Sequence, residues 1–180
     1  MRLKSARWLL FGLWLPAFAA PTLPLQGTAT LAFSPSDDAG ALIVEAIGQA
    51  RQQILVQAYT FTHRAIAEAL ANARRRGIDI RVIADMEQAG RVETSLIDWL
   101  AQRDVPVYLD GQHAAAHNKT IVIDAGQADA IVITGSYNFT HSAQYRNAEN
   151  LLILRGNPAL AEGYAADWQR HHAHAVPVRK

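Results

Sequence analysis

Short apolar segments that alternate with helix-like segments constrain the fold of this chain most strongly. Residues 54–61, ILVQAYTF, are apolar at positions that would face both sides of a sheet, and residues 78–84 repeat the pattern. Strands that are buried on both faces are typical of sheets covered by helices on both sides. We therefore expect an α/β protein, with a mixed β-sheet flanked by helices on both faces.

The other predicted elements fit one domain over residues 30–175, within the size range of a single domain for a chain of 180 residues. The further predicted strands cover residues 30–33, 105–109, 119–124, 130–134 and 151–154. Four helices are predicted. The first follows caps at Asp37 and Asp38, and the second runs from Thr62 to Arg76, with Gly77 just beyond its end. The third covers residues 93–102, and the fourth begins at Asn157 and Pro158. Residues 175–180 are expected to form a frayed tail.

The N-terminus has the three-part pattern of a secretory signal peptide. Basic residues precede an apolar run at residues 8–15, and the small-residue pattern A-x-A follows at residues 17–19. The apolar run is shorter than the roughly 20 residues of a spanning helix, so cleavage is favoured over an uncleaved anchor. We predict a signal peptide at residues 1–19, a secreted or periplasmic protein, and no stable membrane span after cleavage.

The charge balance does not by itself indicate a polyanionic partner. The chain has 17 basic and 16 acidic residues; three of the basic ones precede residue 20, which leaves 14 against 16. Affinity for nucleic acid would therefore need a local basic surface. The chain has no cysteine, which excludes disulfides, cysteine-based zinc sites and thiol nucleophiles.

Two residue pairs on neighbouring predicted strands bring together groups that suit phosphate chemistry. His117 and Lys119 are two residues apart, so they project from one face of a strand, and Ser136 and Asn138 repeat this spacing. Gly135 would allow the backbone to approach closely. Lysine, hydroxyl and amide groups can bind phosphate oxygens, and a histidine can attack phosphorus to form a phosphohistidine.

A nucleophilic histidine also needs a group that holds its ring in one tautomer. Glu149 lies just before the next predicted strand and could accept a hydrogen bond from the second ring nitrogen of His117. The reaction further needs an acid for the leaving oxygen and a base that activates water.

At these residues the sequence resembles the phospholipase D superfamily, whose signature is HxK, four residues, D, and then GSxN. It is most similar to the short, single-motif Nuc-type bacterial endonucleases, over most of the mature chain. The resemblance implies that His117 is the nucleophile and that Lys119, Ser136 and Asn138 bind phosphate. It also implies that Glu149 orients His117, with no metal and no cofactor. The other matched motif residues, expected to be structural, are Asp124 and Gly135.

The hairpin between the two motif strands departs from the family pattern. Ten residues separate Asp124 from Gly135, four more than in the family. Loops tolerate insertions at small entropic cost, and an even number preserves which way the strand residues face. We expect the site to survive this change.

The remaining histidines are interpreted without a metal. His113 and His117 are four apart, but no HExxH glutamate accompanies them and a strand follows. The histidines that end the last helix, His171, His172 and His174, are interpreted as a solvated terminus favoured by the helix dipole. His63 and His141 could line a cleft.

The resemblance predicts a metal-independent phosphodiesterase whose leading substrate is nucleic acid, DNA or RNA. A phospholipase D acting on phospholipid headgroups is the first alternative, and a non-catalytic nucleic-acid-binding module is the second. Larger relatives carry two HxK motifs, whereas this sequence has one. We therefore expect a homodimer in which two copies of His117 face each other across a two-fold axis.

Overall fold

The computed structural model describes residues 20–179, so the predicted signal peptide lies outside the described residues. One sheet contains eight strands, which in chain order are β1 (Thr28–Ser34), β2 (Gln53–Ala58), β3 (Asp79–Asp85), β4 (Val107–Asp110), β5 (Lys119–Ile123), β6 (Ile131–Gly135), β7 (Glu149–Arg155) and β8 (Val176–Pro177). The helices are α1 (Ala39–Gly48), α2 (Arg64–Arg75), α3 (Met86–Arg91), α4 (Ile97–Ala101), α5 (His141–Tyr145) and α6 (Pro158–His172). None of these helices is long and apolar enough to span a membrane.

The sheet is mixed, as predicted. Its strand order is β1-β7-β6-β5-β2-β3-β4-β8, in which β2, β3 and β4 are parallel and the other neighbours are antiparallel. The parallel strands are joined by α2 and by α3 with α4, which is the connection that parallel pairing requires.

Helices cover both faces of the sheet, which confirms the α/β class. Alternate residues of β2 point to opposite sides: Val56 joins the larger core cluster with α1 and α2, whereas Leu55 joins a smaller cluster with α6. In α6, Trp168 is fully buried and donates its indole N–H to the Val56 carbonyl at 2.9 Å. This bond fixes α6 against the centre of the sheet.

Strand direction brings the ends of several strands to one edge of the sheet. Ala58 at the end of β2 is paired with Lys119 at the start of β5, and Gly135 at the end of β6 with Leu151 near the start of β7. The C-termini of β3 and β4 meet at the same edge, where Asp85 pairs with Asp110. The residues at this edge are therefore contributed by segments far apart in sequence.

Local caps explain where several helices begin. The Asp38 side chain accepts from the Ala41 N–H at 2.9 Å, and Asn157 accepts from Leu160 at 3.2 Å with Pro158 in the first turn, as predicted. Gly77 follows α2 with φ +91°, a conformation that glycine adopts without strain. The cap of α2 is His63 rather than Thr62.

Two sequence-based predictions of elements were wrong, and one short element was missed. Residues 93–102 were expected to be one helix, but only α4 lies within this range, and Leu96 just before it donates its N–H to the Phe61 carbonyl at 2.9 Å. The short α5, capped by Thr140, was not predicted. The expected frayed tail contains β8, which pairs with β4.

Candidate active site

The residues of the two sequence motifs come together in one open pocket of about 450 Å³ at the shared edge of the sheet. Its lining consists of His117, Lys119, Gly135, Ser136, Asn138 and Glu149. Three strands contribute these residues, since the pocket lies at the start of β5, the end of β6 and the start of β7. The i, i+2 spacing that the sequence showed therefore corresponds to side chains that meet at one place.

His117 lies at the mouth of the pocket and is exposed to solvent. Its ring contacts Tyr59, with the ring centroids 4.3 Å apart. Its Nδ1 is 3.2 Å from the ammonium group of Lys119, which also donates to the His117 carbonyl at 2.7 Å. These contacts hold the ring by one side and leave Nε2 without a hydrogen bond to any described residue.

Lys119 is a buried cation at the base of the pocket, 8% exposed, with its ammonium group 5.0 Å from the centre of the Tyr59 ring. Burial lowers the pKa of Lys119, and the negative charge of Glu149 partly opposes that shift. A partly desolvated ammonium interacts strongly with an anion that enters the pocket.

Ser136 is at the centre of a hydrogen-bond network. Its hydroxyl donates to Glu149 Oε2 at 2.6 Å and accepts from the backbone N–H of Asn150 at 3.0 Å. The other carboxylate oxygen of Glu149 accepts from the Asn147 amide at 2.9 Å. This network fixes both Ser136 and the carboxylate across the β6–β7 pair.

Gly135 is required by a close backbone contact. Its φ is +149°, and a Cβ atom at this position would lie 2.2 Å from the carbonyl oxygen of Asn150. The same carbonyl accepts from the backbone N–H groups of Ser136 and Tyr137. A side chain here would push β7 away and displace Ser136.

Asn138 presents an amide that the protein does not use internally. Its Oδ1 is buried, and its side chain makes no hydrogen bond to any described residue. The amide group is therefore available to a ligand in the pocket.

Asp124 lies at the opposite end of β5 from the pocket. Its carboxylate accepts from three consecutive backbone N–H groups, of Arg51, Gln52 and Gln53, at 2.7–2.8 Å. It thus closes the turn between α1 and β2. The four additional residues of the hairpin lie beyond Asp124, also away from the pocket.

The contact expected between Glu149 and His117 is not formed in this arrangement. Among the described residues, Glu149 hydrogen-bonds to Ser136 and Asn147, whereas Nδ1 of His117 faces Lys119. A lysine ammonium can only donate, so Nδ1 accepts here, and in the neutral ring the proton is on Nε2. The sequence could not predict this, because it depends on side-chain rotamers and on the β6–β7 register.

Four residues outside the pocket form a cluster that sequence analysis did not predict. His171 and His174, which were interpreted as a solvated helix end, meet Asp110 and His113 instead. The interpretation was wrong because His171 is 61 residues from Asp110, and the two meet through the packing of α6 against β4, where His172 contacts Tyr108, and through the pairing of β8 with β4. The side chains of His171 and His174 are 15% and 24% exposed.

Residues 43–171 match the family model described as "Cardiolipin synthase, PLD-like domain". The chain is 38% identical over 136 residues to a protein named phospholipase D from Rickettsia prowazekii, covering 76% of this chain and 63% of that relative. It thus spans less than two thirds of the length of that protein.

Two solved structures have the same fold. Nuc from Salmonella typhimurium, a phospholipase D family member, is 30% identical with a TM-score of 0.79, covering 85% of this chain and 99% of that one. NucT from Helicobacter pylori is 25% identical with a TM-score of 0.74, covering 84% and 99%. These likenesses agree with the motifs and with the observed sheet, so the chain belongs to the phospholipase D superfamily.

Proposed function

We propose that this protein hydrolyses phosphodiester bonds in nucleic acids through a covalent phosphohistidine on His117. The observation that carries the proposal is the pocket itself, in which a free ring nitrogen, a buried ammonium, a hydroxyl and an unused amide converge. Lys119, Ser136 and Asn138 bind and neutralise the phosphate oxygens, which stabilises the charge of the transition state.

Substrate binding prepares the nucleophile. The phosphate attracts the Lys119 ammonium away from Nδ1 of His117, so that Nδ1 can hold the ring proton and Nε2 a lone pair. Glu149, which is negatively charged at the same pocket, stabilises that tautomer and the positive ring that forms during attack. Nε2 then forms a bond to phosphorus as the bond to the leaving oxygen breaks.

The leaving oxygen needs a proton from the side opposite His117. Among the described residues there is one HxK motif, and His117 is exposed at the mouth of the pocket. We propose that His117 of a second copy supplies this proton in a two-fold dimer and then takes a proton from the attacking water, whose oxygen displaces Nε2. A fully active enzyme that is strictly monomeric in sedimentation would contradict this arrangement.

We favour nucleic acid over phospholipid on similarity to short nucleases, because the polar side chains that line the pocket suit the phosphodiester group that both substrates share. The resemblance to the Nuc-type endonucleases supports the same choice, as does the likeness to Nuc over almost its whole length.

A phospholipid is the second candidate substrate, and exposed apolar side chains favour it. Tyr145 of α5 is 59% exposed, and Phe33, which pairs with Asn150 next to Glu149, is 53% exposed. These side chains could contact a lipid surface. The relative from Rickettsia prowazekii is named a phospholipase D.

A direct comparison of substrates tests the proposal. The purified protein is incubated with plasmid DNA, with phosphatidylcholine vesicles and with a bis-aryl phosphate, each with and without EDTA. We expect cleavage of DNA and of the aryl ester, slower DNA cleavage at higher salt, and no turnover by His117→Ala. Faster turnover of phosphatidylcholine than of DNA would overturn the choice of nucleic acid, and activity that is lost in EDTA and restored by Mg²⁺ or Ca²⁺ would contradict a metal-free mechanism.

A further inference from the structure

Three histidines surround one buried carboxylate at the β4 end of the sheet. Asp110 ends β4 with a side chain that is completely buried, and His171 Nδ1 is 2.6 Å from its Oδ2. His174 Nε2 and His113 Nδ1 are 3.2 Å and 3.3 Å from the same oxygen. The four ligand atoms all lie within 4.8 Å of one another.

The local fold holds these residues in place. α6 is anchored by Trp168, on which His172 stacks with ring centroids 4.9 Å apart, and His172 also contacts the edge of Tyr108 in β4. After α6 the chain turns and pairs with β4, where Leu109 is opposite Val176. This turn carries His174 past Asp110, so the cluster is built on packed elements rather than on mobile side chains.

The donor set is the one that zinc prefers. Zn²⁺ binds imidazole nitrogens and carboxylate oxygens in tetrahedral geometry, whereas Ca²⁺ and Mg²⁺ prefer oxygen ligands alone. With metal–ligand bonds of about 2.1 Å, tetrahedral ligands lie about 3.4 Å apart. The separations of 2.6–3.3 Å from Asp110 approach that value, so small side-chain movements would suffice.

A metal-free hydrogen-bonded cluster accounts for the arrangement less well. Nε2 of His174 is buried and makes no hydrogen bond to a described residue, although it lies close to Asp110. The three rings have centroids 4.9–5.6 Å apart, so they cannot all be protonated without strong repulsion. Neutral rings that give up these contacts to Asp110 could each present a lone pair to a cation bound between them.

We propose that Asp110, His113, His171 and His174 bind one Zn²⁺ ion at a structural site that is separate from the catalytic pocket. In the order β5-β2-β3-β4 the site is three strands from the start of β5, about 14 Å at the usual strand spacing. Four protein ligands close the coordination shell and leave no position for a substrate.

The site would stabilise two parts of the molecule. It ties the segment after α6 to β4, where the paired residues of β8 are only Val176 and Pro177. It also fixes His113 in residues 111–118, the connection that leads to His117 and is held at its other end by the Ala116 N–H, which donates to Asp85 at 2.8 Å. Zinc binding is therefore expected to raise stability and to order this connection.

Zinc titration of the chelator-treated protein tests the proposal. Calorimetry is expected to give one Zn²⁺ per chain, and the melting temperature should rise by roughly 5–10 °C at zinc concentrations about a hundredfold above Kd. Co²⁺ bound in its place should give the intense visible absorption of a tetrahedral site. No binding at micromolar zinc, or a Co²⁺ spectrum of six-coordinate type, would overturn it.

Variants assign the ligands. His113 is the most exposed ligand, with 44% of its side chain accessible, so His113→Ala should fold and bind zinc at least tenfold more weakly. His171→Ala should lose binding, with folding checked by circular dichroism. His141→Ala, which removes an exposed histidine outside the cluster, is the matched control and should bind like the wild type. Unchanged affinity in His113→Ala and His171→Ala would refute the assignment.

Discussion

At the scale of single residues, His63 gives the protein a dependence of stability on pH. The residue is packed so tightly against Gly40 that a Cβ there would lie 2.6 Å from its Nε2. Burial lowers the pKa of His63, a nearby Asp38 raises it, and His141 lowers it further, with a net shift below the ordinary value. The unfolded chain therefore binds a proton at His63 more readily than the folded protein.

The sign of the effect follows from linkage. The contribution of neutral His63 to stability is complete above about pH 6.5, the unfolded value, and is lost as the pH falls toward the lower folded value. We expect His63→Gln, which cannot titrate, to lose less stability than the wild type between about pH 7.5 and pH 5. Urea unfolding at the two pH values measures this, and identical losses in both proteins would contradict it.

The residues of the pocket were predictable from the two motifs, although not for the strand geometry expected. His117 precedes β5, and Ser136 and Asn138 follow β6, so the pocket forms where the ends of these strands meet. The partner of Glu149 was not predictable in the same way, since its bond to Ser136 depends on the exact register of β6 and β7. The histidine cluster was missed because its ligands come from two distant segments.

At the scale of elements, the long strands and the capped helices followed from the sequence, whereas the short elements did not. β2, β3 and α6 have strong apolar patterns or clear caps. α5 and β8 have only five and two residues, too few to show a period. Such short elements form because tertiary contacts hold them, as β4 holds β8.

The turn between α1 and β2 is held by one polar side chain, that of Asp124, and removing this side chain should lower the free energy of unfolding more than removing other single polar side chains. Asp124→Ala removes the acceptor for three backbone N–H groups and places alanine at φ +53°. We expect a loss of about 2–4 kcal/mol in the free energy of unfolding, measured with urea. Asp124→Asn should lose less, because asparagine keeps one oxygen and tolerates this conformation.

Asp129, in the same hairpin, offers a matched control. It forms an ion pair with Arg51 in which both side chains are more than 60% exposed. Exposed ion pairs contribute little to stability, so Asp129→Ala should lower the free energy of unfolding by less than about 1 kcal/mol. Equal losses in Asp124→Ala and Asp129→Ala would show that the Asp124 carboxylate does not hold the turn.

At the scale of the whole molecule, one edge of a single sheet carries both the catalytic pocket and the histidine cluster. The parallel strands β3 and β4 end there, and the antiparallel strands β5 and β7 begin there. The proposed nucleophile, His117, is thus supplied by a segment that lies between the two sites, residues 111–118. The fold class and this edge could be predicted from the alternation of strands and helices, but the order of the strands could not.

The central claim is that His117 becomes covalently phosphorylated during turnover. The most direct measurement is rapid mixing with a bis-aryl phosphate, alkaline quenching that preserves phosphohistidine, and mass spectrometry of the digested chain. We predict a burst of the aryl leaving group of one equivalent per dimer, because one His117 attacks while the other donates the proton. The aryl phosphate should be found on the peptide that contains His117 and be absent from His117→Ala. An adduct on another residue, or full turnover by His117→Ala, would contradict the mechanism.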